Sequence, residues 1–240
     1  MFDSYKRLSY NSVEVRQMNK NEYIAIIGDI YDSGLLEDRK KVQKNLLNVL
    51  DSINKKYQKE IVSKFSISMG DSFQGLLKIS SPFMQIIFDI QLELFPVEMR
   101  FGIGIGEITT TIDSSNSQLN DGPAYHHARK AIEFIEQSEQ QYATRKTNIY
   151  LSDQRERKEM DLINAIFALN KAINSKWSNR QTEIIKSYLS NNENQYETAH
   201  ALDIGQSSVS KALKSTNFYA FLSSIKDIQA YINRADGERG

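Results

Sequence analysis

The stretch KFSISMGDSFQGLLKIS, residues 64–80, sets the topology of the chain. Phe65, Ile67 and Met69 alternate with Ser66 and Ser68, as in a strand with one buried face. Gly70-Asp71 supplies a two-residue turn, and an apolar strand resumes from Phe73 to Ile79, so the pattern predicts a β-hairpin. Upstream, Tyr23–Asp29 is a short Ile-rich run closed by glycine, which predicts a buried strand. Between them, Arg39 to Tyr57 carries Val42, Leu46, Leu47, Val49, Leu50 and Ile53 at helical spacing. Downstream, Pro82–Leu94 reads as an apolar helix with proline in its first turn. Met99–Thr111 reads as a strand or hairpin with Gly102, Gly104 and Gly106 on one face. NSQLNDGP is a loop, Pro123–Ser138 a helix and Thr147–Leu151 a short strand. The order β-α-β-β-α-β-α-β predicts an α+β sandwich of the ferredoxin-like kind, with helices on one side of the sheet. The hairpin breaks the strand–helix alternation that a doubly wound parallel sheet requires.

Composition narrows the function classes. Of the 240 residues, Lys+Arg and Asp+Glu each number 30, so there is no net charge to tether the whole chain to nucleic acid or membrane, although a local basic face stays open. Cysteine is absent, which removes disulfides, thiolate metal sites and cysteine nucleophiles together and fits a cytoplasmic protein. The N-terminus lacks the apolar core of a secretory signal, and no apolar run approaches the ~20 residues of a spanning helix. The boundaries read as an α/β nucleotide-binding domain over 1–152, a rigid connector helix within 153–176 starting at Asp153, and a third unit over 177–240.

That last unit carries three short helical patterns, Asn179–Leu189, Gln195–Leu202 and Ser207–Ser215, the last two split by a tight turn at Asp203–Gln206. Ala199, Leu202, Ile204, Val209, Ala212 and Leu213 fall where a helix-turn-helix needs small or apolar residues. Left facing outward are Gln206, Ser207, Ser208, Ser210, Lys211 and Lys214, short hydrogen-bonders and cations suited to base edges and phosphates. The other reading is a helical bundle for protein contacts with both lysines solvated. Asp203 departs from the glycine common in this turn. The module is only slightly basic, so DNA affinity would come from a dimer.

Asp29 ends one predicted strand and Asp71 sits at the hairpin tip. If these segments are neighbours, both carboxylates enter one cleft, a hard-oxygen site suited to Mg²⁺ or Mn²⁺ with a nucleotide phosphate as further ligand. Otherwise Asp29 caps a loop and Asp71 forms an Asx-turn.

IIGDIYDS, SMGDSFQGLL, MRFGIGIGEI and DGPAYHHARKAIE occur in this order, and together they resemble the SatD family, whose members carry a C-terminal helix-turn-helix; the likeness runs from about Tyr23 to Ile232. The same blocks resemble, more distantly, the class III nucleotidyl cyclase catalytic domain. That resemblance implies a metal site at Asp29 and Asp71 with the Ile30 carbonyl as third ligand, a purine nucleotide, and a site completed across a homodimer. His126 then stands where cyclases have the ribose-orienting Asn. Lys130, or Arg129 by a one-residue shift, stands where they have the phosphate-stabilising Arg, and Lys lacks its two-pronged grip. These three are the candidate catalytic residues. Asp32 is a further acid, either supporting the site or capping the next turn.

Plainer roles are expected elsewhere. The alternating glycines allow a helix to pack closely on the strand, Glu107 is a solvated strand end, and Tyr125 belongs to the core. His126 and His127 point about 100° apart and do not share an ion. The whole reads as a nucleotide-responsive DNA-binding transcription regulator. The alternatives are an active metal-dependent cyclase or nucleotidyltransferase with an accessory helix-turn-helix, and an interaction module with neither activity.

Overall fold

The computed structural model describes residues 22–31, 38–68, 70–142, 147–154 and 158–237. Asp32 and Met69 lie outside them. In chain order the elements are β1 (Tyr23–Ile30), α1 (Arg39–Lys56), β2 (Ile61–Ile67), β3 (Phe73–Lys78), α2 (Phe83–Leu94), β4 (Met99–Gly106), α3 (Pro123–Tyr142), β5 (Ile149–Asp153), α4 (Lys158–Asn174), α5 (Asn179–Ser190), α6 (Gln195–Ala201), α7 (Gln206–Ser215) and α8 (Phe218–Gly237). Through β5 this is the predicted order.

The sheet runs β2-β3-β1-β4-β5, antiparallel except for the β4–β5 pair. The β1-α1-β2 crossover straddles β3, and β3-α2-β4 straddles β1, the split arrangement of a ferredoxin-like core. Period-2 alternation sorts the strands onto two faces. Ile24, Ile26, Phe73, Phe101 and Ile103 join one core with Leu46 and Leu50 of α1 and Ile86 and Ile87 of α2. Burying each such side chain contributes about 1.5–3 kcal/mol. On the other face Ala25 and Leu76 pack with Ala124, Tyr125 and Ala128 of α3. The expectation of helices on one side therefore needs correcting. The glycines of β4 decide this: a Cβ on Gly102 or Gly104 would land inside the backbone of α3 at Ala128 or Ala124.

Three boundaries differ from the sequence reading. The hairpin turn is closed by a hydrogen bond from the Ser68 amide to the Ser72 carbonyl at 2.9 Å, with Gly70 at φ +61°. β4 stops at Gly106, because the chain then folds back as a loop over β2 and β3, where Ser63 Oγ and Gln74 Nε2 donate to the Asp113 and Ser117 carbonyls. Asp153 ends β5 rather than opening a helix, and α4 begins at Lys158. Met160, Ile163 and Phe167 of α4 are buried in the main core, so this helix is packed along its inner side instead of spanning open space as a connector.

Candidate functional site

Asp29 and Arg100 face each other across β1 and β4. Each is the lone charge in an otherwise apolar strand. Arg100 Nε donates to Asp29 Oδ1 at 2.8 Å and its terminal nitrogen to Oδ2 at 2.7 Å, a two-pronged grip. The guanidinium also lies 3.1 Å from Glu136 and 3.8 Å from Glu139 on α3, and 4.9 Å from the Tyr31 ring centre. Burial pushes the Asp29 carboxyl above its ordinary value; the hydrogen bonds and charge of Arg100 only partly offset this, and the charge on Asp71 adds to the rise. Burial lowers Arg100, but Asp29 and Glu136 more than compensate, so it ends above its ordinary value. The two shifts pull the pair in opposite directions. The short paired hydrogen bonds decide for an ion pair at neutral pH.

Asp71 sits in the hairpin turn, with Arg39 of α1 at 3.7 Å. Its charge is the least of the influences that raise the Asp29 carboxyl. Each already has a cation, and among the described residues no group of three or more His, Cys, Asp or Glu is arranged to hold a metal ion. The Arg39 contact is looser than a hydrogen bond, and that side chain is 59% exposed. A divalent cation could be held there only if Arg39 left Asp71 and Arg100 gave up part of its grip on Asp29.

His126, Arg129 and Lys130 occupy the first turns of α3, ten residues before Glu136 in the case of His126, or about 15 Å along the helix axis. The three are exposed. His126 Nε2 lies 3.2 Å and Arg129 3.7 Å from Asp121. Burial raises the Asp121 carboxyl, but the Gly122 amide, His126 and Arg129 together outweigh it and hold the group below its ordinary value. Within one chain the structure gathers His126 and Arg129 about Asp121, at the opposite end of α3 from Glu136, which faces the Asp29–Arg100 pair. His127 turns instead towards Ser152, 3.4 Å from Nδ1, so the adjacent histidines diverge as expected. Arg100 and Asp121 were not singled out from the sequence; a lone arginine in a glycine-and-isoleucine strand, opposite a lone aspartate in another, was the available signal.

In the C-terminal part, α6 and α7 are joined by residues 202–205, with Asp203 at φ +51°, the conformation for which glycine is usual. Val209, Ala212 and Leu213 are buried, while Ser207, Ser208, Lys211 and Lys214 are exposed. Ser207, Ser210, Lys211 and Lys214 line one open groove. Neither lysine forms an ion pair with a described residue. Gln206 is half-buried and donates to Gln195 at 2.6 Å, so its amide is held rather than free. His200 is exposed on α6.

A ferredoxin-like α+β unit with a part-buried Asp–Arg pair, followed by the five helices α4–α8, defines the class of protein. The chain belongs to the SatD family, whose model matches residues 23–232. No curated protein matches it. Among solved structures, a bacterial light-regulated adenylyl cyclase overlaps at TM-score 0.38 and 14% identity, over 55% of this chain and 43% of that one. The guanylyl cyclase Cya2 overlaps at TM-score 0.39 and 14% identity, over 55% of this chain and 75% of that one. A regulator of polyketide synthase expression from Bifidobacterium adolescentis overlaps at TM-score 0.27 and 10% identity, over 90% of this chain and 84% of that one. This chain thus spans less than half the length of the light-regulated cyclase, and overlaps this partial carry no chemistry across. No helix among the described residues is long and apolar enough to cross a membrane.

Proposed function

We propose that this protein is a DNA-binding transcription regulator, acting as a homodimer, whose α+β unit responds to a purine nucleotide bound with Mg²⁺ or Mn²⁺. The observation that carries the reading is the outer face of α7. Its apolar residues are all turned inward, and what faces out is two lysines with no ion pair to a described residue, among serines, a surface with donors for phosphates and base edges but no apolar residue for a protein partner. Asp29, Asp71 and the Ile30 carbonyl would hold the cation, which would neutralise nucleotide phosphates. His126, Arg129 and Lys130 would meet such a ligand only from a second copy, given their separation from Asp29. Sensing is supported over turnover because Arg129 is turned to Asp121 and Asp29 is gripped by Arg100.

A fluorescence-anisotropy titration at low salt, on the duplex upstream of the protein's own gene, tests the DNA reading. Lys214→Ala should weaken binding to all duplexes alike and reduce the log–log salt slope by about one phosphate contact. Ser207→Ala should instead change preference at one base pair. If the protein binds no better than its Lys211→Glu/Lys214→Glu variant, the regulator reading fails. The nucleotide part has its own readout: Mn²⁺ with a purine triphosphate should raise the melting temperature of the wild type and not of Asp71→Asn.

A further inference from the structure

The outer side of α4 carries apolar residues that no described residue covers. Leu162 and Leu169 are 66% and 65% exposed, although both are large aliphatic side chains on a well-packed helix. Ile166 and Ile173 are half-buried beside them. The four recur at spacings of four, three and four residues, the seam of a two-helix coil rather than the wider stripe of a helix laid on a sheet. Ala165 and Ala172 flank the seam and are exposed, leaving room for a second helix to approach closely. The opposite side, with Met160, Ile163 and Phe167, is already buried in the chain's own core.

Charge identifies the occupant. Glu159 and Asp161 lie in the first turn of α4, and Lys176 follows its last turn. None of the three has an ion pair with a described residue. We infer that α4 pairs antiparallel with α4 of a second copy of this chain, across a two-fold axis at the level of Phe167 and Ala168. One register matches the apolar seam and pairs Glu159 with Lys176. It sets Leu162 against Ile173 of the partner subunit and Ile166 against Leu169 of the partner subunit. In the same register Glu159 meets Lys176 of the partner subunit. A parallel pair would place Glu159 beside its own copy and leave Lys176 unanswered. A C2 contact of this kind is self-complementary by construction. The inference deepens the homodimer of the proposed function by naming its surface, and its test needs no DNA.

The chain has no cysteine, so introduced thiols are clean probes. Sedimentation velocity should show a dimer for the wild type and a monomer for Leu162→Glu/Leu169→Glu, with circular dichroism confirming that the exposed substitutions leave the fold intact. A short bis-maleimide should crosslink Glu159→Cys/Lys176→Cys into dimers. It should fail with either single variant, because like positions lie about 25 Å apart in this register. A wild-type monomer up to ~100 µM, a dimer indifferent to the two glutamates, or crosslinking of the Glu159→Cys variant alone would each overturn the assignment. DNA binding lost with dimerisation intact would count against the regulator reading and leave the seam standing.

Discussion

Asp29 is where a lone carboxylate in an apolar strand finds its purpose. Sequence alone marked it as a charge that needs a partner, and a metal was the partner with the closest motif behind it. The structure supplies a guanidinium instead, from a residue 71 positions later, because β1 and β4 lie side by side in a register no local pattern encodes. Asp29 also yields a pH prediction. Its carboxyl is raised above 3.8, chiefly by burial, so the folded state favours the protonated form. The stability this contributes is complete below pH 3.8 and is lost as pH rises through the native value. Wild-type stability minus that of Asp29→Asn, from urea unfolding, should therefore fall as pH rises above 3.8. The slope should stay under about 1.4 kcal/mol per pH unit, the ceiling for a single proton. A difference that grows with pH would mean the Arg100 grip outweighs burial.

At the scale of elements, strands and helices through β5 could be read from the chain because their periods are local. Which face each helix takes could not, except where glycine gave it away. Gly102, Gly104 and Gly106 share one face of β4, and α3 rests on all three. Gly104→Ala should cost about 1–3 kcal/mol, since the obstacle is backbone that cannot rotate aside. Gly205→Ala, whose new Cβ would meet nothing closer than the Ser207 hydroxyl at 3.5 Å, should be near neutral. Comparing the two melting temperatures checks the argument, and equal effects would refute it. The sequence reading missed α8 altogether. Phe218, Phe221, Leu222, Ile225, Ile228 and Ile232 have helical spacing and are all buried, so its signal is local and present in the chain. Asp121 left no such trace: its value comes from what α3 brings beside it.

For the molecule as a whole, one continuous hydrophobic core runs from the sheet through α2 and α4 to α7 and α8. Trp177 sits at the junction, its ring centre 6.4 Å from Phe88 of α2 and 5.0 Å from Phe221 of α8, and its indole N–H donates to the Thr216 carbonyl at 2.9 Å. It is the chain's only tryptophan. Its fluorescence reports the junction, whereas far-ultraviolet circular dichroism reports all helices. The two should lose signal at the same urea midpoint; separate midpoints would show the halves unfolding independently. Trp177→Ala should cost about 3–5 kcal/mol.

The first turn of α2 has no cap of its own, since Pro82 precedes it. Gln229 of α8 does that work: its side-chain oxygen accepts from the Met84 amide at 3.0 Å, and its nitrogen donates to the Ser81 carbonyl at 2.7 Å. Gln229→Ala should lower stability by about 1–2 kcal/mol. The order of synthesis then acquires a meaning. A helix in the middle of the sheet unit is finished by a residue translated 145 positions later, so a nascent chain cannot complete α2 until α8 has been made.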